Sequence, residues 1–174
     1  TRDDRTLFFD VLPIGLRSKT GLDLRLKLYT VPGQVQHDST RKAVLSRADG
    51  VIFVADSQPA QQDNNANAFD NLADSLQKLG MDIESLPLVV QFNKRDVAGA
   101  VDEGELQERW GATPWAPLSM ASALNGVGVV ESFRQLLHRL YPKLDAEFHL
   151  AELEGLRLEE FVRQLSCLDG ASHA

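Results

Sequence analysis

The chain has 174 residues, enough for one domain with a sizeable core, and its 43% hydrophobic and 25% charged content is that of an ordinary globular protein. A formal net charge of -7 argues against nonspecific binding to DNA or RNA, which requires a basic surface. The single cysteine, Cys167, excludes an internal disulfide and a cysteine-rich metal site and lies too far from the end for a prenylation box; with no apolar run of bilayer-spanning length, a cytoplasmic location is expected.

In chain order, residues 6–12 (TLFFDVL) read as a first strand. Residues 24–29 (LRLKLY) alternate apolar and polar, the period of a strand with one buried face. The turn cluster between them, residues 18–21 (SKTG), makes the pair a hairpin. Residues 51–55 (VIFVA) and 86–92 (LPLVVQF) are short, nearly continuous apolar runs, which suit inner strands of a parallel sheet. Between these runs, Phe69, Leu72, Ala73, Leu76 and Leu79 recur at helical spacing. Residues 115–118 are strand-like. Val129, Val130, Phe133, Leu136, Leu137 and Leu140 predict another helix, with Pro142 as its stop. From about Asp145 onward, Leu150, Leu153, Leu158, Phe161, Val162 and Leu165 form one face of a terminal helix broken near Gly155; it either packs on the domain or docks a partner. Two parts are therefore expected: a domain over residues 1–144 and a helical extension over 145–174. The alternation of strand and helix predicts an α/β fold, a mostly parallel sheet with helices on both faces. Ligands in such folds sit at the carboxyl ends of the strands, here after Tyr29, Ala55, Phe92 and Leu118.

Three motifs occupy those ends. Asn93-Lys94-Arg95-Asp96 follows a buried-looking strand. A carboxylate there can accept two hydrogen bonds from a guanine edge, an asparagine can tie loops together, and a lysine stem can cover the flat base. The same residues also suit a solvated turn. Thr30-Val31-Pro32-Gly33-Gln34 offers a glycine whose N–H can approach a terminal phosphate and a glutamine that can orient water; a plain Pro-Gly turn fits it as well. Ser122-Ala123-Leu124 presents backbone N–H groups that could meet a guanine carbonyl, although small loop residues are unremarkable alone.

Their order and spacing resemble the Ras-like GTPases, and more closely the bacterial MglA type. The matching stretches are DRTLFFD (residues 4–10), LYTVPGQV (28–35), STRK (39–42), DGVIFVADS (49–57), NKRD (93–96) and GVGV (126–129), and the resemblance covers about residues 3–141. It implies a Ras-like P-loop NTPase fold and a GTP-hydrolysing switch acting in cell polarity or gliding motility, with GTP or GDP and Mg2+ as ligands. By the same resemblance Asn93, Lys94 and Asp96 read the guanine, and Ser122, Ala123 and Leu124 support it. Gly33 senses the γ-phosphate, Gln34 places the hydrolytic water, and Arg5 is an arginine finger supplied by the GTPase itself. Thr6 reaches Mg2+, with Asp10 as a carboxylate near the ion. The implied partners are a Roadblock-type, MglB-like homodimeric activator and polarity or motility effectors.

One family element is not in the sequence. No Gly-x-x-x-x-Gly-Lys-Ser/Thr loop occurs, although the family places it between its first strand and first helix, where backbone N–H groups wrap the β-phosphate. With Thr1 as the first residue, the expectation is a fragment of a longer GTPase, lacking the first strand and the phosphate loop and inactive by itself. The alternative is a pseudo-GTPase that works as an interaction module without hydrolysis.

Overall fold

The computed structural model describes residues 11–31 and 38–166, without the side chains of residues 11, 12 and 38–40. The elements run β1 (Val11–Arg17), β2 (Asp23–Tyr29), α1 (Asp38–Leu45), β3 (Val51–Asp56), a 3-10 turn (Pro59–Gln61), α2 (Gln62–Lys78), β4 (Leu88–Asn93), α3 (Glu103–Trp110), β5 (Ser119–Met120), a second 3-10 turn (Ala123–Asn125), α4 (Val129–Phe148), α5 (Leu150–Leu153) and α6 (Leu158–Ser166). They form two compact units, one of Thr1–Arg47 with Tyr141–Ala174 and one of Ala48–Leu140.

In the first unit β1 and β2 make an antiparallel hairpin, with Leu16 opposite Leu24 and Ile14 opposite Leu26. The turn is closed by Ser18, whose N–H donates to the Leu22 carbonyl and whose Oγ accepts from the Leu22 N–H. Leu24, Leu26 and Leu28 alternate with exposed residues along β2, as their spacing predicts. A first strand is expected over residues 6–12; residues 6–10 of it lie outside the described part, and the described strand runs Val11–Arg17, five residues past the expected end. Pro13 and Gly15 stand inside this strand, and a two-stranded ribbon has only edge strands, where a missing N–H is tolerated.

α6 packs on β1 and buries Phe161, Val162 and Leu165. Tyr141 stacks edge-on against Phe161 at 5.3 Å and donates its hydroxyl to the Leu156 carbonyl at 3.0 Å. The terminal stretch is thus two helices. Gly155 turns the chain between them with φ +63°, Leu153 is left 61% exposed, and Leu156, absent from the expected apolar face, is buried. Pro142 does not stop α4 but lies inside it. A proline there removes one backbone bond and crowds the preceding turn; the burial of Tyr141 beside it, and of Leu137 and Leu140 before it, outweighs that local cost.

The second unit is built on a parallel sheet ordered β3-β4-β5. β4 is its axis: Leu88, Val89, Val90, Gln91 and Phe92 are all buried, which explains an apolar run without alternation. α2 buries Phe69, Leu72, Ser75 and Leu76 at helical spacing. Phe69 stands edge-on to three rings at once, Phe53, Trp110 and Trp115, with centroids 4.8–5.1 Å away. α3, which periodicity did not reveal, is capped by Asp102, whose side chain accepts from the Gly104 N–H.

The strand expected over residues 115–118 is displaced to Ser119–Met120. Arg139 of α4 accounts for this, because its guanidinium takes the carbonyls of Pro114, Trp115 and Ala116, which are then unavailable to a ladder. β5 is tied to α4 by the buried Ser119–Ser132 hydroxyl pair at 2.6 Å.

Gly128, just before α4, has φ +75°, and a Cβ there would lie 2.0 Å from the Met120 carbonyl oxygen. Gly128→Ala should therefore cost roughly 2–5 kcal/mol, the sum of a left-handed conformation and an overpacked contact with backbone. Urea denaturation followed by tryptophan fluorescence measures it. A midpoint equal to that of the unsubstituted chain would contradict the close approach.

Candidate functional site

β3, β4 and β5 are parallel, so their carboxyl ends meet at one edge of the sheet. The register pairs Asp56 with Asn93 and Phe92 with Met120. Beyond that line, short backbone bonds knit the three exits together. Ser57 N–H donates to the Asn93 carbonyl, Ala121 N–H to Phe92, and Arg95 N–H to Ala121. The Arg95 guanidinium turns back onto the Val101 carbonyl at 2.5 Å.

On this platform the sequence-predicted residues of the Asn93–Asp96 and Ser122–Leu124 motifs come together. Asn93 Oδ1 accepts the Ala123 N–H at 2.9 Å. Asp96 Oδ1 accepts the hydroxyl of Ser122. Ser122 is buried and pairs with Val127 in both directions, closing a tight loop through Gly126. The Asp96 side chain is on the exposed side, and Leu124 projects with 84% of its surface exposed. The Ala123 N–H, a candidate for a guanine carbonyl, is engaged within the chain by Asn93, so a base would share it.

Lys94 has φ +64°, a left-handed conformation that side chains rarely adopt. This one kink lets consecutive residues serve different directions: Asn93 toward the Ser122 loop, Lys94 toward β3, Arg95 toward Val101. The Lys94 ammonium reaches Asp56 Oδ2 at 2.7 Å. Burial works against ionisation of Asp56, but hydrogen bonds from Lys94 and from Gln58 outweigh it, and its carboxyl is held below the ordinary carboxylate range.

Asp56, Gln58 and Asn65 were not singled out from sequence. A signal did exist for Asp56: it ends an apolar run as Asn93 does, one strand over. Arg5, Thr6, Asp10, Gly33 and Gln34 lie outside the described residues. Among the described residues, no group of three or more His, Cys, Asp and Glu side chains is placed to hold a metal ion. No helix among them is long and apolar enough to cross a membrane.

Residues 15–140 match the profile of the ADP-ribosylation factor (Arf) family. The chain belongs to that family. It is also 42% identical, over 134 residues, to the mutual gliding-motility protein MglA of Myxococcus xanthus (strain DK1622), a match covering 77% of this chain and 68% of that protein. It is thus an MglA-like small Ras-like GTPase by sequence, with the α/β fold of that class. Members of the family bind GTP and GDP with Mg2+ and hydrolyse GTP.

The Asn93–Ala123 bond predicts a local effect. Asn93→Ala should speed hydrogen exchange at the Ala123 amide about threefold to tenfold, the equivalent of one net hydrogen bond of ~1 kcal/mol. The Arg95 amide, bonded to the Ala121 carbonyl, serves as the internal control. Unchanged exchange at Ala123 would show that the two loops are joined by other means.

Proposed function

We propose that this chain carries the base-reading residues of an MglA-type switch that binds GTP and GDP, hydrolyses GTP, and controls cell polarity or motility through nucleotide-dependent partner binding. The observation that carries the reading is the convergence of Asn93, Asp96, Ser122 and Ala123 at the carboxyl edge of the parallel sheet. Asp96 accepts the guanine ring N–H and amino group. Lys94 covers the base with its methylene stem, Leu124 supplies an apolar wall, and Ser122 holds the Asp96 carboxylate in place. Adenine offers no matching donor pair, so the selectivity follows from the base edge itself.

Similarity extends the reading to residues outside the described part. Gly33 donates to the γ-phosphate and Gln34 orients the hydrolytic water. Arg5 neutralises charge between the β- and γ-phosphates. Thr6 and Asp10 hold or approach Mg2+, which would stabilise the phosphate charge. A Roadblock-type, MglB-like homodimer is the proposed activator. Within the proposed division, residues 1–144 carry the switch and residues 145–174 a helical extension. The protein works in the cytoplasm.

Base reading is tested in a form of this chain that also carries a phosphate-binding loop. Asp96→Asn should weaken GDP binding by roughly 1.5–3 kcal/mol, the value of a hydrogen-bonding charge, and should favour xanthosine diphosphate, which replaces the amino donor by a carbonyl acceptor. Competitive titration of the two nucleotides gives the ratio. Equal GDP affinity in variant and parent would remove Asp96 from the site.

Turnover is tested separately. Arg5→Ala and Gln34→Ala should slow activator-stimulated hydrolysis while leaving nucleotide affinity nearly intact, since both act mainly in the transition state. Arginine fingers contribute roughly 10³–10⁵-fold. Single-turnover hydrolysis with saturating activator measures the loss. A parent-like rate for Arg5→Ala would mean that the finger comes from elsewhere.

A further inference from the structure

Asp56 is held more firmly than a residue at the end of a strand needs to be. The N–H groups of Val51 and Ser57 point toward β4, so by the alternation of a strand the Asp56 N–H and C=O face the other way. Among the described residues no strand lies on that side. Instead the Asn65 side-chain amide of α2 takes both groups, accepting the Asp56 N–H at 3.0 Å and donating to its carbonyl at 2.8 Å. Gln58 fixes the carboxylate in turn, its backbone N–H donating to Oδ1 at 2.9 Å and its amide to both oxygens at 3.2 Å. One strong acceptor direction is left, and the Lys94 ammonium fills it at 2.7 Å.

Stability alone does not explain this arrangement. The lysine side chain is 51% exposed and the aspartate 21%, and ion pairs so open to solvent contribute little to folding. What the contact does achieve is to pin a flexible side chain at both ends. The backbone end is set by the left-handed turn at Lys94 and by the bonds on either side of it, and the ammonium end by Asp56. Between them the methylene stem is drawn across the exits of β4 and β3.

We infer that Asp56 is a positioning residue for base binding: it holds the Lys94 ammonium so that the lysine stem is ordered as one wall of the base site before nucleotide arrives. The inference rests on the guanine-binding reading above. Free lysine side chains lose much rotamer freedom when ordered, and a site that is already ordered binds more tightly for that reason.

Two measurements test it. The first needs no nucleotide: side-chain order of the Lys94 methylenes by NMR relaxation, in the chain as it stands and in Asp56→Ala. Order is expected in the parent and lost in the variant; equal order in both overturns the inference. The second uses the form bearing a phosphate-binding loop. Asp56→Ala should speed release of GDP about tenfold, and release of inosine diphosphate by the same factor, because a wall against the ring face does not sense the exocyclic amino group. Asp56→Glu should restore part of the slow release. In a Lys94→Ala background the effect of Asp56→Ala should vanish, as it must if the aspartate acts through the lysine. Unchanged release, or the same acceleration without the lysine, would reduce Asp56 to a structural residue and overturn the inference. Failure of the parent to prefer guanine nucleotides appears before any substitution is made, and so identifies a failure of the guanine reading itself.

Discussion

The candidate site depends on the parallel register between β3 and β4. Asp56 stands opposite Asn93, so the next residues of both strands leave the sheet at the same level. Shifting that register by one residue would carry Asp56 away from the Lys94 ammonium and exchange the faces on which alternate side chains lie. The register is protected by packing, because β4 is buried on both faces and a slipped strand would have to refit its side chains against every neighbour. The ring cluster around Phe69 adds shape to that protection, since edge-on aromatic contacts accept few alternative packings.

From that constraint the site is assembled by polar groups acting at short range. The left-handed turn at Lys94 spends local strain to send three successive side chains in three directions. Asn93 holds the Ser122 loop through the Ala123 N–H, and Ser122 holds the Asp96 carboxylate. Gly128 lets the backbone before α4 approach the Met120 carbonyl, which no side chain would allow. Asp56 closes the ring of contacts by gripping the lysine from the neighbouring strand. Each of these bonds is modest, but together they leave the exposed Asp96 carboxylate and the lysine stem few ways to move.

The motifs at the ends of β4 and β5 were legible because they combine two local signals, an apolar run followed by a fixed order of polar types. Asp56 carried the first signal but lacked a motif, and Asn65 carried neither, since its task is to satisfy a strand end brought near by the fold of α2 over the sheet. α3 was missed for a related reason. Its sequence, EGELQERW, is polar, with Leu106 as its one buried residue, so no apolar stripe announces it, while its Asp102 cap was a readable start.

The sequence by itself determined what is encoded by neighbours: the alternating face of β2, the unbroken apolar character of β4, the helical spacing of Phe69, Leu72 and Leu76, and the fixed order of polar and small residues in the Asn93–Asp96 and Ser122–Leu124 stretches. Tertiary structure alone decided where partners far along the chain compete with local preference. Arg139 takes the carbonyls of residues 114–116 and so moves β5 to Ser119–Met120. Burial of Tyr141 and its bond to Leu156 carry α4 past Pro142, against the local cost of a proline in a helix. Asp56 meets Lys94 across 38 residues of chain. The physical reason is common to all three. Periodicity and turn chemistry act over a few residues and can be read along the chain, whereas a hydrogen bond or an ion pair between distant residues exists only once the sheet has set its register.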